Sequence, residues 1–297
     1  MPVTDAELRA GLATALGGEI GELRRLPWAY GSSVPVEELR IGGRAPLLFK
    51  DLTPRPRPSR PDFLVDPLRE VEAYTTLLHG LDAPACHGAV VAPDRVWLFL
   101  ELVEGVPLWQ AEGLAAWEAT ARWLARLHAA PVPAGAHLLR YDGAHLRRWV
   151  DRAIAMAGPD LAGARAPALR AVERLAAWPR AFVHGELYAS NVLVQDEAGG
   201  PRVRPIDWET AGVGPGLLDL AALTAGDWTA DRRARIVAAY RDALPAAAAA
   251  GFDAALDAAR LLVALQWLGW ARGWEPPPEH RHDWAAEARE LAARIAP

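Results

Sequence analysis

The stretch FVHGELYASNVLV, Phe182 to Val194, decides how the chain is read. Two apolar runs, one ending at Val183 and one resuming at Val192, predict short buried strands joined by a polar loop. The loop holds His184, Gly185, a carboxylate at Glu186 and an amide at Asn191. A second acid, Asp207, closes another short run, VRPI, 16 residues beyond Asn191. Segments this close in sequence form a hairpin-like pair that brings Asn191 and Asp207 together. A carboxylate with an amide oxygen is suitable ligation for Mg²⁺, a hard cation that keeps its other positions for water and phosphate. Glu186, on the same loop as Asn191, is placed to hold a substrate hydroxyl.

At 297 residues the chain is long enough for two domains or for one domain with two lobes. A formal net charge of −5 lacks the basic excess of a nucleic-acid binder, so no such partner is expected. No apolar run approaches about 18 residues, so no membrane partner is expected either. The N-terminus carries no leader pattern; Thr4-x-x-Glu7 is instead a capping box that opens a surface helix. The single cysteine, Cys86, forms no intrachain disulfide, which fits a reducing cytoplasm. Oligomeric state is not legible. The scarcest residues say the most. Arginine is abundant, yet there is one lysine, Lys50, and one asparagine, Asn191. A lone lysine in such a chain marks a place where a compact ammonium matters, because arginine is not its equivalent there.

The first third reads as a small antiparallel sheet with tight turns at Gly31-Ser32-Ser33 and Gly42-Gly43. TPRPRPSRP, with Arg55, Arg57 and Arg60, follows as a solvated loop or a basic patch. A helix starts at Asp66-Pro67, an N-cap followed by proline. Its apolar stripe is Leu68, Val71, Thr75 and Leu78, with Glu70 and Glu72 on opposite flanks, so periodicity does not choose an inward-facing acid. RVWLFLELVEG is a strand running into a hinge near Glu101–Gly105. Beyond it the chain is helix-rich: GLAAWEATARWLARLHAAP, then patterns over about 145–156, 165–177, 230–243, 253–274 and 283–295. Trp267, Trp270 and Trp274 share one side of the penultimate pattern, as core or as a stacking wall for an acceptor ring, and Glu209, Glu275 and Glu279 could meet a cationic one. The expected division is 1–103 and 104–297.

The ordered set of motifs resembles the aminoglycoside phosphotransferase and choline kinase family of small-molecule kinases. That family carries His-Gly-Asp-x-x-x-x-Asn and then Ile-Asp-Phe/Trp-Glu; here these read His184-Gly185-Glu186…Asn191 and Ile206-Asp207-Trp208-Glu209. FLELVEG, LARLHAAP and GPGLLDLA stand where its hinge strand, its Leu-His helix end and its Asp-Leu-Ala segment stand, so the likeness runs from about residue 25 to 225. The sole lysine and the sole asparagine both fall on motif positions.

The resemblance implies an α+β, bilobal protein-kinase-like fold, with a small antiparallel-sheet N-lobe, a larger mainly helical C-lobe, and ATP (or GTP) with Mg²⁺ in the cleft between them. It implies transfer of the γ-phosphate to a hydroxyl of a small molecule. By resemblance, Lys50 contacts the phosphates and pairs with Glu70, or with Glu72. Gly31, Ser32 and Ser33 cover the phosphates, and the Glu101 carbonyl and Val103 N–H hold the base. Asn191 and Asp207 hold Mg²⁺, Glu186 orients the acceptor, and His184 and Asp219 brace the loop. His128 is a packed helix-end residue. Where the family has aspartate, this chain has Glu186, whose extra methylene moves the carboxylate by roughly 1–1.5 Å, enough to cost about 10²-fold in rate in an unadapted site. Two alternatives follow: a nucleotide-binding pseudokinase or scaffold, and a kinase acting on a peptide Ser/Thr hydroxyl, favoured by an arginine loop on the cleft's rim.

Overall fold

A computed structural model describes residues 3–28, 34–55, 60–244, 250–270 and 280–295. Gly31, Ser32, Ser33, Arg57, Trp274, Glu275 and Glu279 lie outside the described residues. The chain divides into two compact units, one of Met1–Pro56 with Asp66–Glu104, the other of Arg57–Val65 with Gly105–Pro297. The segment 57–65, expected with the front of the chain, groups with the second unit.

In the first unit, α1 (Asp5–Leu16) opens on the expected capping box: Glu7 N–H donates to the Thr4 hydroxyl at 3.3 Å, and Thr4 N–H donates to Glu7 Oε2 at 2.9 Å. Strands β1 (Leu23–Pro27), β2 (Val36–Ile41) and β3 (Leu47–Asp51) lead to α2 (Pro67–Glu72), then β4 (Cys86–Ala92) and β5 (Arg95–Glu101). The five strands form one antiparallel sheet in the order β1-β2-β3-β5-β4. Alternation along β3 sets what each face does. Leu47 and Phe49 join Leu8, Leu12, Trp97 and Phe99 in the core under α1, with the Phe49 and Phe99 rings stacked at 5.5 Å. Lys50, one residue on, is carried to the opposite face. Asp66 caps α2 by accepting the Leu68 N–H at 3.0 Å, and Pro67 occupies the first turn. The last turn widens to a π-helical one over Ala73–Leu77.

The second unit contains β6 (Val106–Pro107), α3 (Ala115–Ala129), β7 (Leu139–Arg140), α4 (Gly143–Ala157), α5 (Arg165–Ala176), β8 (Arg180–Val183), β9 (Val192–Glu197), β10 (Gly200–Pro205), β11 (Gly212–Pro215), α6 (Leu217–Leu223), α7 (Ala230–Asp242), α8 (Phe252–Leu268) and α9 (Trp284–Ile295). Helix α8 is apolar on nearly every side, as a central helix must be, and α4, α5, α6 and α9 all pack on it. It stops at Leu268, before Gly269, and residues 271–274 of the expected pattern lie outside the described residues. Two three-stranded sheets, β10-β9-β6 and β7-β11-β8, carry the loops that matter. No helix among the described residues is long and apolar enough to cross a membrane.

Candidate active site

The site grows from two packing facts. The β9–β10 hairpin pairs Val192 with Pro205, and the ladder runs one step further, with Ile206 N–H donating to the Asn191 carbonyl at 2.9 Å. Asp207 therefore follows directly on the residue bonded to Asn191. Trp208 is fully buried, its ring stacked on Phe182 at 5.6 Å and tilted on His184 at 4.5 Å. Between these anchors Asp207 has φ +65, the one positive φ at a residue other than glycine among the described residues. An aspartate tolerates the left-handed region better than most residues, and such strain collects where a side chain must be aimed.

The loop after β8 is held from beneath. His184 N–H and Gly185 N–H donate to the two oxygens of Asp219, in the first turn of α6, at 2.7 and 2.8 Å. His184 Nε2 faces the Ile206 carbonyl at 2.9 Å, so it carries the proton, and Nδ1 accepts the Glu186 N–H at 3.4 Å. Both ring nitrogens are spent on loop geometry, and His184 is a brace. Gly185 has φ +89, and a Cβ there would lie 2.1 Å from the Tyr141 hydroxyl oxygen and 2.5 Å from the Thr210 carbonyl oxygen, so only glycine fits. Behind Asp219 the bracing continues: His128 Nε2 meets its carboxylate at 3.2 Å, and His128 Nδ1 meets the Tyr240 hydroxyl at 2.8 Å. Burial raises the Tyr240 pKa, which keeps that hydroxyl protonated.

Asn191 Nδ2 donates to the Glu186 carbonyl at 2.8 Å, which leaves the amide oxygen as the group for a cation. With the Asp207 carboxylate it forms a hard-oxygen pair on one hairpin, a donor set that fits magnesium with phosphate and water completing the shell. Glu186 itself is buried. Gln266 Nε2, from the last turns of α8, lies 3.4 Å from its Oε1, and the Thr210 hydroxyl lies 3.5 Å from its Oε2. Burial above all, with the Glu209 and Asp207 carboxylates adding to it, raises the Glu186 pKa to about 8, against the Arg60 charge and the Thr210 hydrogen bond.

Arg60 is the residue the sequence misplaced. It is not part of a solvated loop: it is 8% exposed and its Nη1 is bonded to Glu209 Oε1. Burial works against its charge, but Glu209, Glu186 and Asp207 outweigh burial and raise its pKa above the usual arginine value. Glu209 is thus engaged inside the protein. Arg55, the other described arginine of that segment, pairs with the buried Asp51 at 2.5 Å.

In the first unit, Lys50 Nζ meets Glu70 Oε1 at 2.7 Å with both side chains buried, the first of the two pairings the sequence left open. Glu101 ends β5 with its N–H and its carboxylate both tied to Ala85, at 2.8 and 2.9 Å, and Val103 is buried two residues on.

Trp267 and Trp270 are packed: Trp267 stacks on Trp284 at 5.1 Å, and Trp270 on Trp149 at 5.8 Å. Other indoles line a pocket elsewhere. A pocket of about 230 Å³ adjoins the loop at Tyr188 and Ala189 and is lined by Trp109, Trp117, Trp228 and Asp227 among others. Trp109 is 45% exposed, and Ser190 Oγ on the same loop lies 3.0 Å from His280 Nε2 at the pocket's edge. No periodicity signals this pocket, because its indoles come from four separate segments.

Known structures share this architecture over nearly the whole chain. Choline kinase from Streptococcus pneumoniae superposes with a TM-score of 0.65 at 15% identity, covering 98% of this chain and 98% of that one. Macrolide 2'-phosphotransferase from Brachybacterium faecium gives 0.62 at 20% identity over 98% and 97%. Aminoglycoside 2'-phosphotransferase-IIIa, in a GDP complex, gives 0.60 at 14% identity over 99% and 98%. At these identities the likeness establishes the fold, the α+β protein-kinase-like fold of small-molecule kinases. No curated protein matches the chain by sequence. Residues 57–262, more than half of the chain and including the whole loop and hairpin just described, match the phosphotransferase enzyme family, and the chain belongs to that family.

Proposed function

We propose that the protein is a Mg-ATP-dependent O-phosphotransferase that moves the γ-phosphate to a hydroxyl of a small molecule. The observation that carries this reading is the Asn191–Asp207 hairpin: a carboxylate on a left-handed backbone beside an amide whose nitrogen is already engaged. Lys50, fixed by Glu70, holds the α- and β-phosphates. The backbone of Glu101 and Val103 holds the base, for ATP or GTP, and Gly31, Ser32 and Ser33 cover the phosphates. Asn191 and Asp207 hold the metal. Magnesium held by Asn191 and Asp207 would offset the phosphate charge and would favour the ionised form of Glu186. Glu186 then orients the acceptor hydroxyl and takes its proton. The acceptor oxygen bonds to phosphorus, the bond to the bridging oxygen breaks, and the nucleoside diphosphate leaves with the electron pair. Because the transition state is loose, orientation counts for more than basicity. Gln266 and Thr210, which fix the longer side chain, support a site re-spaced for glutamate.

The pocket beside Tyr188 takes the acceptor. Its single described acid, Asp227, already bonds His282 Nδ1 at 2.8 Å, and Arg232 lies over the Trp228 ring at 5.7 Å. With its carboxylate already bonded to His282 and one indole face covered by Arg232, the pocket favours a ring-bearing neutral alcohol, such as a sugar, over an amino alcohol. The peptide-kinase reading keeps less support, since Arg60, one of the three arginines it drew on, is buried on Glu209.

A nucleotide-binding protein without transfer is the second reading, favoured by the burial and raised pKa of Glu186. Calorimetric binding of ATP and GTP with and without Mg²⁺, with Asp207→Asn as control, followed by an acceptor screen, decides between them. Mg-dependent binding that Asp207→Asn abolishes, with turnover on a ring-bearing alcohol, supports the kinase. Binding without turnover on any hydroxyl supports the second reading, and no binding of either nucleotide refutes both.

A further inference from the structure

We propose that Arg60 is a built-in counter-charge of the magnesium site, holding Glu209 away from the metal position and keeping a divalent cation from settling there before the nucleotide brings its phosphates. This rests on the reading of Asn191 and Asp207 as the metal ligands. Three carboxylates, Glu186, Asp207 and Glu209, stand on two loops that share Thr210: its hydroxyl bonds the His184 carbonyl at 3.1 Å and reaches Glu186. Negative charge on two loops tied together in this way attracts a divalent cation whether or not nucleotide is present. Arg60 intervenes at the third. Its guanidinium is bonded to Glu209, two residues past Asp207 and across the buried Trp208, and its charge reaches both other acids. Among the described residues no three acidic, imidazole or thiol side chains converge as a metal site.

The plainer account is that Arg60 merely staples segment 57–65. That segment has its own anchor. Phe63 packs edge-on against Trp149 at 5.3 Å and His145 at 5.6 Å, Arg148 lies over its ring at 5.4 Å, and Leu64 is buried. A buried arginine is a costly staple when apolar contacts already do the work, because desolvation offsets most of what the ion pair returns. An arginine bonded to Glu209, two residues past Asp207, earns its position through charge.

The test separates charge from stapling, because the two accounts give opposite signs. Arg60→Met keeps the length of the side chain and removes the charge. Binding of Mn²⁺ alone, without nucleotide, is measured by electron paramagnetic resonance, with the melting transition as a check on folding. The expected result is Mn²⁺ binding at least tenfold tighter than in the wild type, with Arg60→Lys close to wild type. Equal or weaker Mn²⁺ binding in a folded Arg60→Met protein overturns the proposal, since loss of a staple loosens a site. Should Arg60→Met fail to fold, Glu209→Gln decides. It frees the guanidinium to turn on Asp207, and Mg-dependent ATP affinity should fall at least tenfold; unchanged affinity overturns the proposal. A wild type that binds no ATP refutes the kinase reading, while the Mn²⁺ comparison still judges Arg60.

Discussion

Replacing Glu186 by glutamine should stabilise the metal-free protein, and increasingly so as pH rises. In the folded chain the Glu186 pKa stands at about 8, against an ordinary value of 4.5. Between those two values the native state binds a proton that the unfolded state has released. Stability therefore falls as pH rises, by up to about 1.4 kcal/mol per pH unit. Across the whole window the loss is on the order of 5 kcal/mol, and by pH 7 it is roughly 3 kcal/mol, after which it levels off above the folded pKa. Below about pH 4.5 both states are protonated and the group contributes no pH dependence. Glutamine has the shape of the protonated acid and keeps contact with Gln266 and Thr210, so Glu186→Gln removes the dependence without opening a cavity. The assay is scanning calorimetry of both proteins in a chelator from pH 5 to 9. Other titrating groups cancel in the difference. The melting temperature of Glu186→Gln should draw away from wild type steadily up to about pH 8, by several degrees at pH 7. Parallel curves would refute the reasoning and mean that the carboxylate reaches water or a counter-charge that the fold does not reveal.

Glu186→Asp, which would restore the family's residue, should lower turnover about 10²-fold, because the shorter side chain withdraws from Gln266 and Thr210; equal or faster turnover would show that the loop is not adapted to glutamate. Lys50→Ala should cost about 3–5 kcal/mol by leaving Glu70 charged and buried, and should weaken ATP binding as well; chemical denaturation and calorimetry measure the two effects, and Glu72→Ala should show neither. Gly185→Ala should abolish the folded loop, since its methyl would sit inside the contact radius of Tyr141 and Thr210; a soluble, ATP-binding Gly185→Ala protein would contradict the fixed loop. Tyr240→Phe, which breaks only the outermost bond of the chain through His128 to Asp219, should cost about 1 kcal/mol and leave ATP affinity unchanged.

The legible part of this protein lay wherever a residue's role is local. The capping box at Thr4 and Glu7, the Asp66-Pro67 helix start and the β9–β10 hairpin follow from neighbours a few positions apart, and the structure contains all three. The scarcity of lysine and asparagine pointed to Lys50 and Asn191 because composition makes a lone residue conspicuous. Three features needed tertiary structure. The partner of Lys50 turned on how α2 is rotated against the sheet, which a stripe flanked by Glu70 and Glu72 leaves undecided. The pocket of Trp109, Trp117 and Trp228 joins segments whose separate patterns say only that each is partly buried. Arg60 looked like solvated chain because proline and arginine together predict exposure; it is buried because Glu209, 149 residues later, folds back to meet it. Local patterning reports which residues must be covered, and only the closed chain decides which charge covers which.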